Sequence, residues 1–224
     1  MARADHIVIH MTKQSVSSRD AVIREFRVKG ILNAACRVVA RHGFQGATVG
    51  RVAEEAGIAK GTVYLYFRKK EELLTAAVEQ GIENFTGQVH SQVMAAVTPL
   101  EKLQLLIEVS LELSDTYRDF FKTLLLERNF LAASPKHPEA THMLDLYLGH
   151  IHFIEGIIQD GVREEIFRPH NVESSAFALN EAIRGCFQQR TLGLTARTAT
   201  EDAAILLDLF FNGVLKVRAE ESVS

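Results

Sequence analysis

"EEAGIAKGTVYLYFRKKEEL", residues 54–73, sets lone glycines, three aromatic residues and three consecutive cations within twenty positions. Its centre predicts a short helix from about Lys60 to Phe67. Val63 and Phe67, four apart, share one face and point inward, which leaves Lys60, Gly61, Thr62, Tyr64, Leu65 and Tyr66 toward solvent. Two tyrosines two residues apart on a helix cannot both face one core. Gly61 costs a helix about 1 kcal/mol relative to alanine, and close approach of the backbone to another surface gives a reason for it. Thr62 and Tyr64 can meet base edges or phosphates, and Lys60 supplies charge. Arg68, Lys69 and Lys70 follow at once. Lys70 opens the next helix, where its ammonium and the free amides together suit a phosphate.

Upstream, Gly57 closes a preceding short helix that starts after Thr48, whose hydroxyl can accept one of the orphan amide hydrogens. That helix turns Val49, Val52, Ala53 and Ala56 inward. Two short helices joined by a tight glycine-containing turn form a helix-turn-helix unit. Before it, from about Val22, Ile31, Ala35, Val38 and Val39 fall on one helical face; Gly43 stops that helix and Phe44 folds back on its end. Residues 1–21 show no sustained period and read as a flexible arm, in which Met11 is an alternative start.

Downstream, periodic segments run through about 71–96, 99–114, 117–131, 139–165, 172–191 and 200–219. They break at Thr98-Pro99, "ASPKHP" (133–138), "FRPHN" (167–171) and "GLTART" (193–198). No strand alternation and no internal repeat is found. The expected fold is all-α: a three-helix DNA-binding head over 22–74, then a larger helical body over 75–224.

Charge divides the chain at the same place. Residues 1–70 hold 13 Lys and Arg against 5 Asp and Glu, whereas residues 71–224 hold 12 against 23, although the whole chain is only -3. A basic head and an acidic body point to a polyanion bound at one end. With 47% apolar residues the chain can bury a core, and it has neither an uninterrupted membrane-length apolar run nor a secretory signal, so a cytoplasmic location is expected. Cys36 and Cys186, 150 positions apart, read as two reduced thiols.

The stretch "ILNAACRVVARHGFQGATVGRVAEEAGIAKGTVYLYFRKKEELL", residues 31–74, resembles the TetR family of bacterial transcriptional regulators. Its most specific piece is the ending Tyr64-x-Tyr66-Phe67-x-x-Lys70-Glu71-Glu72-Leu73. The resemblance implies that Thr48 caps the second helix and touches phosphate, that Lys60, Thr62 and Tyr64 face the major groove, and that Tyr66 and Lys70 grip the DNA backbone. Three positions depart from the family pattern. Ala59 stands where a serine or threonine often caps the recognition helix. Arg51 replaces a frequent acidic residue and offers a phosphate contact, and Leu65 replaces a polar one and offers a surface for a thymine methyl.

The last helix, "AAILLDLFFNGVLKV" (203–217), is apolar almost all round except for Asp208 and Asn212, and so must be covered on two sides. The resemblance implies a homodimer through the last two long helices, about 171–191 and 200–218. A two-fold also lets two short helices read half-sites about 34 Å apart. It further implies a small, mostly apolar effector among the helices of about 100–165, where Phe120, Phe121, Phe130, Tyr147 and Phe153 gather, and repression as the default outcome. Polar residues that interrupt apolar faces, His90, His142, His150, Asn180 and Arg184, together with Tyr147, are the candidate ligand contacts. A cavity of roughly 300 Å³ or more favours ligand control, whereas a solid core favours a body that serves as a protein-interaction module. No catalytic motif and no dinucleotide or phosphate-loop fingerprint occurs, so no enzyme and no cofactor is expected. Neither His6 with His10 nor His150 with His152 makes a convincing metal site.

Overall fold

The computed structural model describes residues 18–126 and 138–212. The expectations for the arm up to Ser17, for Met11, His6 and His10, for Phe130, and for the last helix beyond Asn212 lie outside those residues. Nine helices are described: α1 (Ser18–Gly46), α2 (Val49–Glu55), α3 (Lys60–Tyr64), α4 (Lys70–Val93), α5 (Pro99–Thr116), α6 (Arg118–Leu126), α7 (Pro138–Arg163), α8 (Val172–Thr191) and α9 (Ala199–Asn212). Among the described residues there is no strand, and the fold is all-α.

Local chemistry accounts for most boundaries. Gly43 takes φ 66°, breaking α1 before a last short turn, and Phe44 beside it is buried in the head core. Thr48 Oγ1 accepts the amide of Arg51 at 3.3 Å, and Gly57, again at φ 66°, ends the α2 turn. Thr98 and Glu101 form a reciprocal cap at α5, with Pro99 in the first turn.

Two boundaries differ from expectation. α1 begins at Ser18 rather than near Val22, because Asp20 sits favourably in a first helical turn where the serines read as turn formers. α3 closes at Tyr64; Leu65 and Tyr66 continue as a tight turn whose amides return to Thr62 and Val63. α6 is described only to Leu126.

Two clusters of buried side chains follow. The first joins Val38, Val39, Phe44, Val52, Val63 and Phe67 to Leu73, Leu74, Ala77 and Val78 of α4. The second joins Val89 and Val93 of the same α4 to Leu103, Leu106 and Ile107 of α5, Ile154 and Ile158 of α7, Leu179 of α8 and Leu206 of α9. α6 also bears on α4: the tip of the Phe120 ring fills the space that a side chain at Gly81 would need. Phe121 continues that contact, edge-on to Phe85 of α4 at 5.0 Å and to Phe187 of α8 at 5.2 Å.

A buried charge network ties three body helices. Arg190 of α8 donates to Asp202 of α9 at 2.7 Å, and to the Leu111 carbonyl and Ser114 hydroxyl of α5 at 2.9 Å each. Arg197 completes Asp202 at 2.6 Å. Asp202 has no exposed surface, so removing it strands a buried guanidinium. Asp202→Ala should lower the unfolding free energy by about 3 to 5 kcal/mol, read from denaturant melts, whereas Glu108→Ala, exposed on α5, should change it by less than about 0.5 kcal/mol.

Candidate nucleic-acid interface

The head presents α3 outward. Tyr64 is 47% and Leu65 75% exposed; Lys60 and Gly61 are exposed and Thr62 is half-buried, while Val63 and Phe67 are buried beneath them. No Cβ contact would crowd Gly61, so its lack of a side chain serves no packing need within the described residues. Ala59 precedes α3 and makes no side-chain cap. The Thr62 amide returns to the Ala59 carbonyl at 2.9 Å, and no side chain of Ala59 caps the amides before it.

The turn between α1 and α2 gathers the neighbouring cations. Arg51 donates its guanidinium to the Gly46 carbonyl at 2.5 Å, and Lys70 reaches the adjacent Gln45 carbonyl at 3.3 Å. Glu72 accepts the Arg68 amide at 2.9 Å and closes the start of α4. Tyr66, expected outward, is half-buried against the head core. The Arg24 guanidinium sits over its ring, 5.3 Å from the centroid. Arg24 drew no attention in the sequence, since only the observed path of α1 brings it beside the end of α3.

The six residues expected to meet an effector form two clusters instead of one pocket. Between α4 and α7, His90 Nε2 and His150 Nδ1 share a hydrogen bond at 2.9 Å, and His90 stacks on Phe153 with centroids 3.7 Å apart. His142, eight residues before His150 on α7, lies 3.8 Å from Glu83 of α4. Burial, then the charge of His90, lowers the His150 pKa to about 4, and burial also lowers that of His90. The second cluster centres on Glu181 of α8, which accepts from Tyr147 at 2.9 Å, Asn180 at 3.1 Å and Arg184 at 2.8 Å. Glu181 was not singled out in the sequence; it is the common acceptor of three residues that were. Among the described residues no group of three or more His, Cys, Asp or Glu gathers at metal-binding distance.

A separate cleft of about 360 Å³ opens between α1, α4 and the α5–α6 corner, lined by Cys36, Arg37, Ala40, Arg41, Gly81, Asn84, Gln88, Thr116, Tyr117, Asp119 and Phe120. None of the six candidates lines it. Cys36 donates its thiol to the Ala77 carbonyl at 2.8 Å, and burial pushes its pKa up to about 12. Both cysteines are free. No described helix is long and apolar enough to cross a membrane.

Residues 31–77 match the family model for bacterial regulatory proteins of the tetR family. A curated fatty acid metabolism regulator protein of Bacillus subtilis (strain 168) is 29% identical over 135 residues, which cover 59% of this chain and 66% of that protein. Among solved structures, a transcriptional regulator from Saccharomonospora viridis in complex with choline superposes with a TM-score of 0.71 at 22% identity, covering 86% of this chain and 99% of that one. AibR in complex with isovaleryl coenzyme A and operator DNA superposes with a TM-score of 0.61 at 19% identity, covering 82% and 97%. These two superpositions establish the fold alone.

The histidine pair makes stability pH-dependent in a definite direction. An unfolded histidine titrates near 6.5, and the folded pair titrates lower, so its contribution is complete above about pH 6.5 and is lost as pH falls toward 4. Thermal melts should show the midpoint falling between about pH 6.5 and 5, and His150→Leu should flatten that fall. An unchanged slope in the variant would contradict the assignment.

Proposed function

We propose that this chain, which belongs to the tetR family of bacterial regulatory proteins through residues 31–77, is a transcriptional repressor that binds a palindromic operator as a homodimer and leaves it when a small effector binds. The observation that carries the DNA half of this reading is α3 itself. Its five residues hang on Val63 alone as a fully buried anchor, and its outer face shows Lys60, Gly61 and Tyr64 to solvent on the cationic part of the chain.

In this reading Lys60, Thr62 and Tyr64 enter the major groove, with Gly61 at the closest approach. Thr48, Arg51 and Lys70 hold phosphates around the turn of Gln45 and Gly46. Tyr66 contributes through its hydroxyl edge, its ring being covered by Arg24. The dimer forms through α8 and α9, which leave Phe177, Ile205 and Leu209 about half exposed on their outer faces.

The relatives support an effector. AibR is seen with isovaleryl coenzyme A and operator DNA together, and the Saccharomonospora viridis regulator with choline. The cleft of about 360 Å³ exceeds the roughly 300 Å³ that a small ligand needs, which favours ligand control over a body used only as a protein-interaction module. His90, His142, Tyr147, His150, Asn180 and Arg184 bridge α4, α7 and α8, and an effector in the body acts by rearranging those bridges.

Fluorescence anisotropy on a duplex from the DNA just upstream of this gene tests the reading. Tyr64→Ala should weaken binding by about 1 to 3 kcal/mol. Lys70→Ala should weaken binding to specific and unrelated duplexes alike and reduce the salt slope by about 1. Wild-type affinity and unchanged salt slopes in both variants would overturn it.

A further inference from the structure

The cleft between head and body has a chemistry that the DNA-binding reading does not use. Its α1 wall carries Arg37 and Arg41, one helical turn apart and half exposed. Its floor is the Phe120 ring pressed on Gly81. At the α5–α6 corner Gln88 donates to the Tyr117 hydroxyl at 2.5 Å, a polar pair beside an otherwise apolar floor. The space therefore grades from aromatic to cationic.

Both arginines are engaged by one carboxylate. Glu55, the last residue of α2, accepts Arg37 Nε at 2.6 Å and Arg41 Nη1 at 2.7 Å. Those hydrogen bonds hold the Glu55 carboxyl below the usual range. Two guanidiniums offer ten N–H donors between them, and one carboxylate cannot occupy all of them. A second anion can share the pair or take it from Glu55. Asp119 is the one acidic side chain on the lining and belongs to the α6 wall; it steers negative charge toward α1.

We propose that this cleft is a ligand site for a small molecule with an apolar body and one anionic group, a carboxylate or a phosphate, bound with its body on Phe120 and its charge at Arg37 and Arg41. The proposal rests on the effector reading above and adds to it a position and a chemistry distinct from the bridges between α4, α7 and α8. Two guanidiniums at the rim repel a quaternary ammonium, so a choline-like cation does not fit here. Every wall matters for regulation: α1 belongs to the head, α6 to the body, and Glu55 ends the helix that leads into the recognition turn. An occupant that draws Arg37 and Arg41 away from Glu55 loosens α2 from α1, and with it the seat of α3.

Calorimetric titration of the full chain with octanoate, octanoyl coenzyme A and, as the neutral control, octanol tests this. At least one anionic probe should bind at least tenfold more tightly than octanol. Octanoate binding identifies a carboxylate ligand, and binding of the thioester alone identifies a phosphate-bearing one. Arg37→Gln with Arg41→Gln should erase the preference over octanol. Ala40→Phe, which fills the cleft without altering its charge, should weaken the favoured probe at least tenfold while its thermal melt stays cooperative. Failure of both anions to bind, equal binding of octanol, or undiminished binding to Ala40→Phe would each overturn the site. If the probe releases operator DNA from Ala40→Phe as from the wild type, the cleft assignment falls and the effector reading stands. If it binds in the cleft and leaves operator affinity unchanged, the site stands and release through it falls.

Discussion

α4 is buried in two cores at once. Leu73, Leu74, Ala77 and Val78 are packed into the head, and Val89 and Val93, about three turns further along the same helix, are packed into the body. An α-helix of 24 residues is about 36 Å long and bends little over that distance. Neither core can move its share of α4 without moving the other end. Gly81 stands between the two sets, and the Phe120 ring occupies the space its side chain would need, so α6 bears on α4 at the point where one core gives way to the other.

That arrangement suits the proposed function, in which the two ends report to each other. The head alone has a small core, with α3 attached through Val63 and the turn to Phe67. Its orientation is inherited from α1 and α4. A change in how α6, α7 or α8 presses on α4 shifts a packed element between two arrangements, because close-packed interiors yield by switching and not by continuous deformation. The energy asked of an effector is modest: a coupling of about 1 to 3 kcal/mol changes affinity about 5 to 150-fold.

What was legible in the sequence was local. Thr48 as a cap, Gly43 and Gly57 as stops, and Val63 with Phe67 as the inward pair all depend on neighbours within about four residues, where spacing alone fixes the geometry. The missing cap at Ala59 was legible only through the resemblance, which places a serine or threonine there. Contacts between distant parts were not. The hydrogen bond between His90 and His150 spans 60 positions, the one from Arg190 to Leu111 spans 79, and the thiol of Cys36 meets Ala77 across 41. Tyr66 reads as exposed on an ideal helix, but α3 has already tightened into a turn there, and a longer α1 brings Arg24 over the ring. Polar interruptions of apolar faces singled out six residues, but periodicity could not say that His90 and His150 would meet across helices or that Tyr147, Asn180 and Arg184 would converge on Glu181.

Under the proposed function, α3 and its symmetry mate read duplex DNA. Selection of the full chain against a library of random duplexes, followed by hydroxyl-radical footprinting of the enriched sequence, measures this most directly. The expected result is a palindrome whose two protected half-sites lie on one face, one helical turn or a whole number of turns apart. Recovery of no enriched duplex, or of a single unrepeated half-site, would contradict it.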